Sequence, residues 1–201
     1  ASLRKWGEFV GFATFDVQLA KLVAARKSRV VIAYEMAALH TFRVAKKEKT
    51  ICILDAAACH HSLQDRRLNV SQAEMNSVPG RAIRARKDAE VLLADLVICP
   101  SVLSAESYLA AGVPPGKVVV NTLGVDADAF DASSQVVRTG VPSFVFIANA
   151  AYVKGADRVA AVIADLQARN VPALFHIVGS ARLDSLSRGC VQVLQHGPLS
   201  A

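Results

Sequence analysis

No stretch of this 201-residue chain approaches the roughly 20 uninterrupted apolar residues a bilayer-spanning helix needs, because Lys, Arg, Asp or Glu breaks every apolar run. The start, ASLRKWGEFVGF, has no apolar stretch behind its basic residues and does not read as a cleavable signal. A cytoplasmic protein is expected. Cysteine is scarce, and Cys52, Cys59, Cys99 and Cys190 are too scattered for a disulfide framework; they read as reduced and mostly buried. Aromatic residues are only 6% of the chain, which weakens nucleic-acid binding through stacked bases, so no specific nucleic acid is expected as a partner. Neither G-x-G-x-x-G nor G-x-x-x-x-G-K-[ST] is present, which argues against ordinary dinucleotide and P-loop sites, and G-x-S-x-G is missing too. There is no fixed-period repeat and no low-complexity tract, so solenoid and disordered readings fall away.

What is present is a globular composition, 53% hydrophobic and 20% charged, enough to bury a core in one or two domains. The net charge of +6 is uneven, with 16 Lys or Arg against 10 Asp or Glu in residues 1–100 and 7 against 7 in residues 101–201. That basic half could attract phosphates, nucleic acid or an anionic membrane surface; the plainer reading is charge spread around solvated helix faces.

Short β-branched runs recur at 29–33, 50–54, 96–99, 117–121, 144–147 and 173–178. Being apolar throughout, they read as strands of parallel sheets covered on both faces. Segments of helical period alternate with them at 16–26, 36–46, 71–93, 103–111, 157–169 and 183–188. The order implies right-handed crossovers and an α/β sandwich. Pro79-Gly80 should divide the segment 71–93 into two pieces. Periodicity fails around residues 126–142, so the organisation expected is a first domain over 1–128, a linker over 129–142 and a second, short domain over 143–201.

Ligands of open parallel sheets lie beyond the carboxyl ends of the strands, which gives residues just after each run first claim on function. His60 and His61 follow the run TICIL, where an imidazole could act as general base, bind a sugar hydroxyl or simply pack. Cys59, His60 and His61 are adjacent in the chain and cannot all converge on one ion, so no metal is expected. Ser101 could cap a helix or touch a ligand, and Gly124 could supply a positive-φ turn before Asp126. Lys154 and Gly155 lie at the start of a helix, where backbone N–H groups and the macrodipole favour an anion. Gly179 and Ser180 end the strand HIVGS, where a missing side chain permits close approach to the backbone.

Three stretches in order resemble family 4 glycosyltransferases and their GT-B relatives. They are ADLVICPSVLSAESYLAAGVPPGKVVVNTLGVDADAF at 94–130, the strand followed by Lys-Gly-Ala-Asp at 144–158, and the strand ending Ile-Val-Gly at 174–179. The resemblance implies a GT-B-type α/β fold of two Rossmann-like parallel-sheet domains, both incomplete here, as in an interior fragment. It implies transfer of a sugar, with retention, from a nucleotide-sugar donor to a sugar, glycan or glycolipid acceptor, without cofactor or metal. It sets Gly124 and Asp126 at the interdomain crossing, Lys154 and Gly155 at the donor diphosphate, Gly179 and Ser180 beside the nucleotide, and His60 or His61 in the active site. Three features depart from the family pattern: no arginine stands just upstream of Lys154, no glycine-rich loop opens the first domain, and the downstream glutamate pair would lie beyond Ala201. The chain alone is therefore expected to be inactive in transfer, and a non-catalytic binding module of the same fold is the alternative. Peripheral membrane contact through the basic half is the further partner expectation.

Overall fold

The computed structural model describes residues 2–129, 140–149 and 154–198. The chain divides into two compact units, 1–126 and 127–201. Each is built on its own parallel sheet.

The first unit opens with a long helix, α1 (Ser2–Arg26), and then alternates β1 (Val30–Tyr34), α2 (Leu39–Lys47) and β2 (Ile51–Asp55). Three helices follow, α3 (His61–Arg67), α4 (Gln72–Asn76) and α5 (Val78–Leu93), and then β3 (Leu96–Cys99), α6 (Val102–Ala110) and β4 (Val118–Val120). The strands stand in the order β1-β2-β3-β4, every pair parallel, with Ile32 opposite Ile53 and Val97 opposite Val118. Each crossover advances one position in the same direction. Right-handed crossovers of that kind put all their helices on one face. The core reflects this: Ala33, Cys52, Leu54, Val97 and Cys99 from the sheet pack with Phe42 and Ala45 of α2, Val91 of α5, and Ala105 and Tyr108 of α6. The alternate strand positions point the other way, and Val30, Ile32, Tyr34, Ile51 and Val119 are exposed.

The second unit contains β5 (Ser143–Ala148), α7 (Ala156–Ala168), β6 (Ala173–Gly179) and β7 (Val191–Gly197), in the parallel order β5-β6-β7. Ile163 of α7 packs with Phe175, Ile177, Val191 and Val193.

Several sequence expectations shift by a residue or two, and four differ in kind. The expected helix at 16–26 extends back to Ser2. Helix α3 and strand β7 were not anticipated. The segment 183–188 forms only a 3-10 turn at Asp184–Leu186. The segment 71–93 does split, but at Ser77, which leaves Pro79 in the first turn of α5 where its missing N–H costs nothing. Most of the expected linker, residues 130–139, lies outside the described residues.

Candidate functional site

In an α/β unit the first helix N-terminus beyond a strand is the usual anion site. Here the N-terminus of α2 is filled by the protein's own carboxylates. Its N-cap, Ala38, offers no side-chain acceptor. Instead Glu90 of α5 accepts the N–H groups of Met36 (2.7 Å), Ala38 (3.1 Å) and Leu39 (3.1 Å), and Asp16 of α1 accepts those of His40 (2.7 Å) and Thr41 (2.9 Å). Arg86 lies between the two carboxylates, in contact with Asp16 and 3.0 Å from Glu90. All three side chains are buried. Burial alone would raise Asp16, but the N–H groups of His40 and Thr41, with Arg86, more than offset it and hold the carboxyl below its ordinary value. The same clamp holds Met36 at φ +76°, a conformation non-glycine residues seldom adopt. With its positive end neutralised internally, this terminus has no vacancy for a substrate phosphate.

His60 and His61 stand at the start of α3. His60 is the N-cap residue: its Nδ1 meets Ser62 Oγ at 2.9 Å and accepts the Ser62 N–H at 3.3 Å, and its own N–H donates to Ser107 Oγ at 2.8 Å. Its ring stands edge-on to Tyr108 at 5.3 Å. Asp88 of α5 reaches both imidazoles, with Oδ1 2.7 Å from His61 Nε2 and 3.5 Å from His60 Nε2. Burial foremost, then the neighbouring His61, outweighs Asp88 and depresses the His60 pKa, so the ring packs in its neutral form. His60 and Asp88 also wall a cavity of about 290 Å³ completed by residues that include Leu92, Gly112 and Lys117. Leu92 and Lys117 lead into β3 and β4, whereas His60 follows the carboxyl end of β2. The third donor, Asp88, is 27 residues from His61 and was invisible to an argument from chain spacing.

The second unit presents a different edge. Gly155, at φ +83°, is the N-cap of α7 and carries no side-chain cap, so no protein carboxylate closes this helix terminus from the cap position. Lys154 is exposed beside it, and the Arg158 side chain runs back over Gly155. The strand ends next to it are tightly made. Gly179, at φ +106°, lies so close to β5 that a Cβ there would meet Ala148 O at 2.3 Å. Ser180 N–H donates to Ala148 O at 3.0 Å, and its hydroxyl donates to Asn149 O. Gly179 thus has a structural reason of its own. Arg158 received no role in the sequence reading, although an exposed cation in the first turn of a helix was its visible signal.

Ser101 is the N-cap of α6, its hydroxyl accepting the Ser104 N–H at 3.2 Å. Gly124 is not among the positive-φ glycines, so the turn expected there is not formed; the chain passes through it in an open loop before the 3-10 turn Ala127–Ala129. Asp126 closes the first unit's stretch of chain. His176 is half-buried and stacks on His196, Nδ1 to Nε2 at 2.9 Å.

No family model matches this sequence, and no curated protein does. Solved structures do match its fold. The lipopolysaccharide outer core galactosyltransferase WaaB, in its apo form, aligns over 96% of this chain and 50% of its own, with a TM-score of 0.60 at 14% identity. MnaA of S. aureus, in a co-structure with UDP, aligns over 94% and 52%, with a TM-score of 0.51 at 14% identity. The UDP-GlcNAc 2-epimerase of Neisseria meningitidis, bound to UDP-GlcNAc, aligns over 94% and 54%, with a TM-score of 0.50 at 10% identity. The chain spans about half the length of each. Identities this low establish the fold, which is α/β with two parallel, Rossmann-like sheets of the GT-B type.

Proposed function

We propose that the chain belongs to a sugar-nucleotide enzyme, and specifically to a family 4-like glycosyltransferase that moves a sugar, with retention, from a nucleoside diphosphate donor to a glycan or glycolipid acceptor. The observation that carries this reading is the contrast between two helix termini: α2 is closed by buried Asp16 and Glu90, whereas α7 starts at a glycine with no side-chain cap, beside exposed Lys154 and Arg158, the latter 3.6 Å from the exposed Asp157 of the same turn. The second terminus is the one built for an added anion. In this reading Lys154, Gly155 and Arg158 hold the donor diphosphate, with Arg158 taking the place of the arginine missing upstream. Gly179 and Ser180 form the floor beside the nucleotide, and Gly124 and Asp126 carry the chain from one unit to the next. Positive groups and backbone N–H dipoles stabilise the departing diphosphate, so the transfer step itself draws on no metal. His60 and His61 follow the carboxyl end of β2, but both rings engage Asp88 of α5, and we give them no part in the transfer step.

Binding without transfer is the second reading, favoured by the absence of an arginine between Ala148 and Lys154. Titration with UDP and GDP, followed by incubation with labelled sugar nucleotides and mixed acceptors, separates the two. Hydrogen bonds to charged groups contribute about 1.5–3 kcal/mol, so Lys154→Ala should weaken diphosphate binding roughly tenfold to a hundredfold. An unchanged Kd would remove Lys154 from the site. No helix among the described residues is long and apolar enough to cross a membrane. Exposed Phe12, Phe15 and Leu22 on α1, within the basic half, extend the proposal to peripheral contact with anionic lipid, which co-sedimentation with phosphatidylserine vesicles would test.

A further inference from the structure

Two imidazoles and a carboxylate from different helices meet at the α3–α5 junction in a way that hydrogen bonding alone does not complete. The donor atoms of His60, His61 and Asp88 all lie within 4.8 Å of one another. A zinc-type ion with ligand bonds of about 2.0–2.2 Å holds neighbouring tetrahedral donors about 3.3 Å apart. The His60 Nε2 to Asp88 Oδ1 separation is already 3.5 Å. The shorter 2.7 Å contact to His61 needs only a small outward movement of Asp88, whose side chain is 57% exposed.

The far side of each ring points to the same conclusion. When His61 uses an Nε2–H to meet Asp88, its Nδ1 is left buried without a hydrogen-bond partner. That nitrogen lies 4.0 Å from Asp65 Oδ2, and Asp65 is itself fixed by Arg84 at 2.8 Å. A metal on Nε2 would move the proton to Nδ1 and aim it at that carboxylate, the arrangement that usually orients a metal-bound histidine. His60 Nδ1 lies 2.9 Å from the Ser62 hydroxyl, which can accept its proton once Nε2 is engaged, in exchange for the 3.3 Å bond from the Ser62 N–H that caps α3. We propose that His60 Nε2, His61 Nε2 and Asp88 Oδ1 form a binding site for a divalent transition ion of the zinc type, tying α3 to α5 with one coordination position left for water. Two nitrogens and one oxygen suit zinc over the hard, all-oxygen preference of magnesium or calcium. The site stands apart from the proposed sugar transfer and would survive the failure of that reading.

The test is zinc titration of the chelator-stripped 201-residue chain against a chromophoric competitor, with cobalt substitution as the spectroscopic companion. The expected result is one ion per chain, binding weakened at least tenfold by His61→Ala and by Asp88→Asn, and binding unchanged in a His176→Ala/His196→Ala double variant. Cobalt should give visible d–d bands without a thiolate charge-transfer band. Absence of binding, equal affinity in the site variants, loss of binding in the double variant, or a thiolate band that moves the ion to a cysteine would each overturn the proposal. Should the site variants fail to fold by circular dichroism, the imidazole resonances of the unaltered chain decide. Movement of the His60 and His61 signals on adding zinc supports the site, and unmoved signals refute it.

Discussion

Arg86 shows how much of this fold depends on single buried charges. Its guanidinium serves Asp16 and Glu90 at once, and those carboxylates hold five backbone N–H groups of the β1–α2 connection and the first turn of α2. Breaking a buried ion pair by removing one partner costs about 3–5 kcal/mol, and urea unfolding of Arg86→Met at neutral pH should show a loss of that size. The deficit should shrink as pH falls toward about 4, the ordinary carboxylate range, because protonation removes the charges left unpaired. In the unaltered chain Asp16 has the opposite sign. Its depressed pKa contributes stability that is present above the unfolded carboxyl value and lost as pH falls through the folded one. Glu90, pushed up foremost by burial, works against it. Gly179 is a second residue on which the backbone depends. A Cβ there would collide with Ala148 O, and φ is +106°, so overpacking together with left-handed strain makes Gly179→Ala about 2–4 kcal/mol less stable. Thermal unfolding followed by tyrosine-independent circular dichroism would measure it, and a loss below 1 kcal/mol would mean β6 can shift away from β5 at little cost.

Among the helices, ends decide more than interiors. The Ser77 hydroxyl accepts the Gly80 N–H at 3.1 Å to start α5 and donates to Glu74 O at 2.7 Å to finish α4. One side chain therefore produces the break that proline chemistry suggested two residues later. Ser77→Ala should cost about 1 kcal/mol or somewhat more, since N-cap losses run at about 0.5–2 kcal/mol and a second bond goes with it. Denaturation midpoints of Ser77→Ala and Ser101→Ala, the latter losing only the Ser104 contact, should rank in that order. Helix α5 carries Arg84, Arg86, Lys87, Asp88 and Glu90, which reach Asp65, Asp16, Glu35, His61 and the N–H groups at the start of α2 respectively. Lys87 and the Tyr108 hydroxyl both reach Glu35, beyond β1, at 3.0 and 3.2 Å. These polar contacts add to the packing of Val91 and Leu93 in holding the helix against the sheet.

Across the whole molecule the sheets have one feature in common. Parallel sheets are normally covered on both faces. In the first unit the described helices cover one, and Ile32 on the edge strand β1 is 61% exposed on the other. In the second, α7 covers one face while Val145 and Ile147 on the other remain 64% and 72% exposed. Bare apolar sheet faces drive association, so analytical ultracentrifugation should find concentration-dependent self-association that Ile32→Lys reduces. A strictly monomeric chain at high concentration would contradict this.

Six of the seven strands and the division into two sheets were readable from the sequence, because fully apolar β-branched runs separated by helical period admit few other arrangements. Strand β7 escaped because VQVLQHG alternates polar and apolar residues, which follows from having only its Val191 and Val193 side buried. Helix α3 escaped because its seven residues bury no side chain completely and so have no apolar stripe. Lys154 and Gly155 were legible as a helix start, since a lysine and a glycine ahead of an amphipathic segment are local signals. The sealing of α2 by Asp16 and Glu90, and the meeting of Asp88 with His60 and His61, were not. These contacts join residues 24 to 54 positions apart, and separations of that length are set by how helices pack on a sheet.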